Sequence, residues 1–337
     1  MQRWWSILFV VLICCGDSKE TRVQRFLIQG NDQVRKGNYE EAIGFFRAAV
    51  ELDSCFADAW NNLGSVYYRQ QNYPHALESY DRAISCAPDY IDALFNRANT
   101  YYELKQYYSA LRDLDRVAQT FPDTMALHFA RGLVYTQMRD YDHALQSFRK
   151  ALRKDSDNAE IIVNIGTIQY YKKEFDSARH YMAEAITIDS TEANAYNTLA
   201  LLDAEQGNYD AAMEHINKAL SLERNAAYFL NNRGYIHLLK GDLDKALEDI
   251  DESIMRDPYN AWAYRNKGLY HLKRGEYDDA VRLLTRAVAR EALVEKAYYY
   301  LGEAYQLSGD KAKACDAYRQ AVKLGEMEEG ELRRRCR

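Results

Sequence analysis

Trp60-Asn61-Asn62-Leu63-Gly64, followed by Tyr67, Ala76, Tyr80, Ala83 and Pro88, is a pattern that recurs every 34 residues. Repeats counted in that phase begin at Val23, Ala57, Ile91, Met125, Ala159, Ala193, Ala227, Ala261 and Glu295. Nine of them reach Glu328 without insertion or deletion. Self-similarity at such a period takes precedence over a domain count drawn from length. Position 20 of the repeat is alanine throughout: Ala42, Ala76, Ala110, Ala144, Ala178, Ala212, Ala246, Ala280 and Ala314. Position 8 is always small, for example Gly30, Gly64, Ala98 and Gly132. Position 24 is always apolar, for example Phe46, Tyr80, Leu114 and Phe148. Position 17 is aromatic in every repeat except those with Leu243 and Lys311. Pro88, Pro122 and Pro258 share position 32.

These columns specify helical hairpins. Positions 4, 7, 8 and 11 are spaced as one face of a helix, and positions 20, 24 and 27 give the same stripe on a second. Small residues at 8, 20 and 27 let the two helices approach closely. Position 16 is Asn38, Asn72, Asp140, Asn208, Asp242 and Asp310 in six repeats, residues suited to start the second helix. Pro74 follows one of them, in a first turn that tolerates proline. Proline at position 32 stops the second helix before the next repeat. One hairpin cannot bury its apolar face alone, so successive hairpins must stack.

The pattern Trp60, Leu63-Gly64, Tyr67, Ala76, Tyr80, Ala83, Pro88 resembles the tetratricopeptide repeat almost residue for residue, and the resemblance covers residues 23–328. It implies an all-α fold, a right-handed α-solenoid of nine helix-turn-helix repeats making about one superhelical turn. The first helices would line a concave groove. Lys311 breaks the aromatic column in the last repeat, as suits an outward face with no neighbour to cover it.

Composition narrows the function. The 337 residues carry 44 Lys+Arg against 50 Asp+Glu. That balance gives no electrostatic case for nucleic acid. The hydrophobic content of 47% suits a folded chain rather than a disordered one. No phosphate-binding loop, dinucleotide fingerprint, zinc-protease motif or nucleophile elbow is present, so no catalytic residue, cofactor or metal is expected. His128, His237 and His271 fall on helix-face columns and read as packing residues. Position 7 holds Arg97, Arg131, Arg233 and Lys267; Arg97 with Asp113 and Arg233 with Asp249 read as ion pairs across a hairpin.

The N-terminus reads as a sorting signal. Arg3 precedes an apolar run from Trp4 to Ile13, half the length a membrane-spanning helix needs. The run closes in Leu12-Ile13-Cys14-Cys15, which resembles the lipobox of bacterial lipoproteins. Residues 1–14 would be the signal peptide. Cys15, or less favourably Cys14, would carry lipid, and residues 15–22 would form a linker. With Asp17 at +3 from Cys15, the outer membrane of a bacterial envelope is favoured over the inner. Cys55, Cys86, Cys315 and Cys336 show no metal-ligand spacing and no disulfide framework, and read as isolated thiols. The basic tail, residues 329–337, reads as a solvated, frayed end.

Family resemblance directs positions 2, 5, 6, 9, 12 and 13 into the groove. Position 6 gives Asn62, Asn96, Asn164, Asn232 and Asn266, a row that resembles the asparagine ladder in the repeats of O-linked N-acetylglucosamine transferases, broken here at Ala130 and Thr198. Each amide can both donate to and accept from a peptide backbone. Phe95, Tyr102, Phe129, Tyr170, Tyr228, Trp262 and Tyr299 add aromatic contacts, and Arg265 and Lys296 add charge. The spacing does not make a carboxylate clamp of the chaperone-binding type: Asp92 stands where a lysine is needed, and Tyr300 where an arginine is needed. The expectation is a non-enzymatic scaffold, lipid-tethered in the envelope, holding an extended segment of a protein partner. It takes no nucleic acid and no small-molecule substrate. Two rivals stand beside it: an assembly subunit acting through its convex face and ends, and an adaptor delivering substrates to a separate enzyme.

Overall fold

The computed structural model describes residues 18–337. The apolar segment from Trp4 to Ile13, Cys14 and Cys15 lie outside the described residues. Among those described, every regular element is a helix, and the chain divides into two bodies. The N-terminal body, ending at Asp155, holds α1 (Lys19–Lys36), α2 (Tyr39–Leu52), α3 (Ala57–Arg69), α4 (Tyr73–Cys86), α5 (Ile91–Glu103), α6 (Tyr107–Thr120), α7 (Met125–Gln137) and α8 (Tyr141–Leu152). The C-terminal body, from Ser156, opens with α9 (Ala159–Tyr171), α10 (Phe175–Ile188), α11 (Ala193–Glu205), α12 (Tyr209–Leu222), α13 (Ala227–Lys240) and α14 (Leu243–Arg256). It continues through α15 (Ala261–Arg274), α16 (Tyr277–Arg290), α17 (Ala297–Leu307), α18 (Lys311–Lys323) and α19 (Glu329–Arg335). The all-α solenoid of stacked hairpins is the architecture the repeat columns call for.

Seven first helices, α3 to α15, start at the first residue of their repeat, and all nine second helices start at position 17. The residue before each second helix is the position-16 residue, but its side chain caps the helix only at Asp140 and Asp310. What the turn requires throughout is a left-handed residue at position 15. Gly37, Gly207, Gly241, Gly275 and Gly309 supply it freely, whereas Gln71, Lys105, Arg139 and Lys173 hold φ of 58–64°. Only glycine occupies that region without steric cost.

The apolar stripes meet as their spacing requires. Leu63, Gly64 and Tyr67 of α3 close on Ala76, Tyr80 and Ala83 of α4, and all are buried. Position 8 faces position 24 across the hairpin. A Cβ on Gly30 would sit 2.4 Å from the Phe46 ring, one on Gly64 2.6 Å from Tyr80, and one on Gly132 2.6 Å from Phe148. The rings fill the space that glycine leaves, and each is essentially inaccessible to water. Each such burial contributes about 2–3 kcal/mol.

The position-7 cations set the register between repeats. Arg97 forks onto the Asp113 carboxylate at 2.7 Å and also reaches Asp81 of the preceding repeat at 2.6 Å. Arg233 does the same with Asp249, at 2.6 and 2.8 Å, and with Asn217 at 3.1 Å. Arg131 and Lys267 reach back to Asp115 and Asp251 at the equivalent place. Burial works against the Arg97 charge, yet the bonds to Asp113 and Asp81 outweigh it and hold the guanidinium above its ordinary value.

Three expectations are corrected. The cysteines are not isolated thiols: Cys55 bonds to Cys86, and Cys315 to Cys336. Each bond joins a second helix to an irregular segment beside it, a three-dimensional adjacency that linear spacing does not reveal. The basic tail is not frayed. Helix α19 folds back so that Arg335 donates to the hydroxyls of Tyr318 and Tyr299 at 3.0 Å and lies over both rings. Lys311 itself stays exposed, and its Nζ donates to the Arg337 carbonyl. Finally, α1 begins four residues before the first repeat, at a cap in which Ser18 accepts from the Thr21 amide, so the linker assigned to residues 15–22 is partly helical.

Candidate partner-binding surface

Within each body, consecutive first helices pack on one another: α1 on α3 and α3 on α5, then α9 on α11 and onward to α17. The second helices make no comparable succession of contacts. The first helices therefore lie on the inside of each curve, and their positions 2, 5, 6, 9, 12 and 13 form its inner face.

In the N-terminal body that face is open. Ile28 of α1 is 64% exposed. Asn62, Phe95, Asn96, Tyr102 and Phe129 are all half-buried. Phe129 rests edge-on against the buried Phe148 ring at 5.7 Å, and Tyr102 sits 6.1 Å from Tyr107. The rings are thus held by packing while part of each faces solvent. Asp58, Asp92 and Glu103 are exposed among them. The Tyr68 hydroxyl donates to Glu103 at 3.4 Å, and burial together with that carboxylate pushes the phenol up to about 12. Tyr90 donates to Asp58 at 2.8 Å. The face is apolar with an acidic rim.

The asparagines bond to one another and do not form a free ladder. Asn96 donates to Asn61 at 3.0 Å, Asn232 to Asn197 at 2.8 Å and Asn266 to Asn231 at 2.8 Å. In each case a position-6 amide meets the position-5 asparagine of the preceding repeat. After Phe95 and Val163 at position 5, the next position 6 is Ala130 and Thr198. Both gaps follow an apolar position 5, but so do Asn62 and Asn164, which find other acceptors. Asn62 follows Leu27 and turns instead to Asn31 at 2.9 Å. Asn164 follows Phe129 and bonds within its own helix, to the Glu160 carbonyl at 2.9 Å. The paired columns were visible in the sequence, and comparing position 5 with the next position 6 would have exposed them.

In the C-terminal body the inner face is largely enclosed. Lys173, just past α9, bonds Glu295, just before α17, at 2.9 Å, although 122 residues separate them. The first and last hairpins of this body thus meet across the curve. Tyr170 is 7% exposed, Arg265 5% and Asn266 0%, so these three are not the open groove residues their positions suggested. Tyr228 remains exposed and donates to Asn194 at 2.8 Å. Asn232, Trp262, Lys296 and Tyr299 are half-buried. Trp262 lies against Arg265, the Lys296 amide donates to Glu326, and Tyr299 is capped by Arg335.

Histidines sit where packing places them. His128 is buried beside Asp123 at 3.0 Å, and His271 bonds Glu276 at 2.6 Å. Burial pushes His237 below its ordinary value, against the pull of Asp249 and Asp242. Among the described residues no group of three His, Cys, Asp or Glu could hold a metal ion, and no helix is long and apolar enough to cross a membrane.

The family model for the tetratricopeptide repeat matches residues 28–91, 95–159, 131–197, 197–261 and 265–326. No curated protein matches in sequence. A structure from a functional study of Pseudomonas aeruginosa pilF superposes with a TM-score of 0.52 at 23% identity, covering 61% of this chain and 94% of that one. The APC/C hetero-tetramer Cut9–Hcn1 superposes at 0.62 and 15% identity, over 95% of this chain and 64% of that one. A tetratricopeptide repeat protein from Parabacteroides merdae is 22% identical at a TM-score of 0.45, over 84% and 98% of the two chains. At such identities the likeness is one of fold.

Proposed function

We infer that this chain, which belongs to the tetratricopeptide repeat family, is a non-enzymatic scaffold that holds an extended segment of a partner protein on the inner face of its N-terminal body. One observation carries the inference: Ile28, Phe95, Tyr102 and Phe129 stay accessible on a single face while the backbone beneath them is fixed by packing. Pre-ordered aromatic and aliphatic side chains bind apolar anchors at low entropic cost. The exposed carboxylates Asp58, Asp92 and Glu103 favour a segment whose anchors are flanked by basic residues. In-cell crosslinking and capture should recover a partner with the natural chain and lose it when Phe95 and Phe129 are both changed to alanine. Equal recovery from the double variant would move the role to the outer faces and ends.

The scaffold works outside the reducing cytosol, tethered by lipid on Cys15 at a bacterial envelope membrane. The lipobox-like Leu12-Ile13-Cys14-Cys15 supports this reading, and so do the two disulfides, which persist in oxidising compartments. Metabolic labelling with palmitate should mark the natural chain and leave Cys15→Ser unlabelled. Label retained on Cys15→Ser and lost on Cys14→Ser would shift the acceptor by one residue.

A further inference from the structure

We propose that the N-terminal end of the solenoid docks on an anionic lipid surface through a stripe of α1 formed by Lys19, Arg22, Phe26 and Gln29, with Arg25 beside it. In the eight later repeats position 3 is apolar and essentially inaccessible to water, from Ala59 to Ala297. The repeat before it supplies the cover, as where Ala59 clusters with Ala49 and Val50. In the first repeat that position is Arg25, and it is exposed. Position 7 reaches back to the preceding repeat at Arg97, Arg131 and Lys267. In the first repeat it is Gln29, also exposed. No repeat precedes α1 among the described residues, so the side of the helix that a neighbour covers elsewhere is open.

Spacings of three and four residues put Lys19, Arg22, Phe26 and Gln29 on one stripe. Lys19 and Arg22 are exposed, and the half-buried Phe26 ring lies 6.4 Å from Phe45, also half-buried. Helix α1 carries five basic residues against two acidic, in a chain whose formal charge is −6. Neither carboxylate is on the stripe. Glu20 leaves the helix about 200° round from Arg22, and Asp32 is held by Lys36 at 2.6 Å and Arg35 at 3.3 Å. In α2, Glu40 accepts from Gln70 of the second repeat. Glu41 starts α2 beside the far, C-terminal turn of α1, and Glu51 leaves α2 about 120° round from Phe45. Solubility asks only that an end repeat be polar. It does not ask that the charges on the stripe share one sign, whereas an anionic interface does, with an aromatic ring among them.

The length of chain before α1 identifies the occupant, and here the inference rests on the lipid tether at Cys15. Only Gly16, Asp17 and Ser18 separate Cys15 from α1. Lys19 therefore lies within about 14 Å of the acylated residue whatever path those residues take. Arg25 is six residues further along the helix, about 9 Å. A lipid on Cys15 keeps the basic stripe close to the headgroups, where each cation gains from an anionic surface. Ile28 leaves α1 about 100° round from Gln29, so the stripe is distinct from the inner face that holds a partner. Docking of this end sets how the N-terminal body stands on the membrane, which a flexible tether alone does not do.

Quenching from the headgroup layer tests it. The full chain, purified from bacterial membranes with a fluorescent amino acid at Gln29, is reconstituted in vesicles whose headgroups carry a nitroxide. The vesicles are phosphatidylcholine alone or with about one third phosphatidylglycerol, and mass spectrometry reports the lipid on Cys15. Quenching should be strong on the phosphatidylglycerol vesicles, weak on phosphatidylcholine, and lost in about 0.5 M salt. Arg22→Glu with Arg25→Glu should lower the ratio of docked to undocked chain at least about 30-fold. Arg22→Lys with Arg25→Lys should keep it, because the surface reads charge. Arg149→Glu with Arg153→Glu, exposed at the C-terminal end of α8, makes the same change in net charge and should leave quenching as it was. Equal quenching on the two vesicles, indifference to the Arg22/Arg25 reversal, or equal loss from the Arg149/Arg153 pair would each overturn the proposal. A chain that carries no lipid and stays off phosphatidylcholine vesicles overturns the tether instead. Quenching on phosphatidylglycerol that the Arg22/Arg25 reversal removes would uphold the docking surface even then.

Discussion

Changing Cys315 and Cys336 together to serine should loosen the C-terminal end of the solenoid by about 3 kcal/mol. The estimate comes from the loop that the bond closes, 21 residues in sequence, whose freedom the unfolded chain regains when the bond is absent. The loss falls on a defined set of contacts. Helix α19 has few of its own, and Arg335 must be held near Tyr299 and Tyr318 to cap them. Met327, buried at 7% exposure, packs beneath the same segment with Tyr318. Without the bond, opening of α19 uncovers the last hairpin, which has no following repeat to protect it. Hydrogen exchange of amides in α17, α18 and α19 should accelerate about 100-fold, the factor that 3 kcal/mol represents, while α3 to α6 exchange as before. Uniform acceleration along the chain would show that the bond stabilises the solenoid as a whole and that α19 is not a local cap.

Replacing Gly132 by valine should cost about 3 kcal/mol or more, again locally. A Cβ there would lie 2.6 Å from the Phe148 ring, which is 0% exposed and fixed edge-on against Phe129. The ring cannot retreat without displacing the inner-face residue that the partner-binding account depends on. Overpacking of that kind commonly costs about 1–3 kcal/mol, with the second branch of valine adding more. Gly44 supplies the control with the opposite sign. It lies inside α2, and a Cβ added there would meet nothing within 4 Å, so alanine should stabilise by about 1 kcal/mol through helix propensity. Denaturant midpoints and exchange rates in α7 and α8 check the valine variant, and the midpoint alone checks the alanine one. A neutral Gly132→Val would mean that position 8 tolerates bulk and that the small-residue column has another origin.

Much of this architecture is legible in the residues because the repeat states it nine times. Helix starts, the fit of a small position-8 residue against an apolar position-24 side chain and the Arg97–Asp113 pair all follow from columns whose spacing has a direct steric or electrostatic meaning. Three features did not. The disulfides depend on which irregular segments come together in space, and neither 31 nor 21 residues of separation encodes that. The left-handed turn at position 15 is concealed because Gln71, Lys105, Arg139 and Lys173 accept a conformation that glycine would advertise. The candidate surface was the least legible. Position alone assigned Asn266, Arg265 and Tyr170 to an open groove, whereas relay bonding and the Lys173–Glu295 contact enclose them. A column says which way a side chain leaves its helix, but how tightly the helices curve decides whether water can still reach it.

The most direct measurement places a photo-crosslinking residue, one variant at a time, at Ile28 and Phe95 on the inner face and at Tyr108, which is 80% exposed at the start of the second helix α6. Irradiation in cells should join the same partner segment to the chain from Ile28 and Phe95 and not from Tyr108. A partner captured from Tyr108 alone would contradict the account and place the working surface on the outside of the curve.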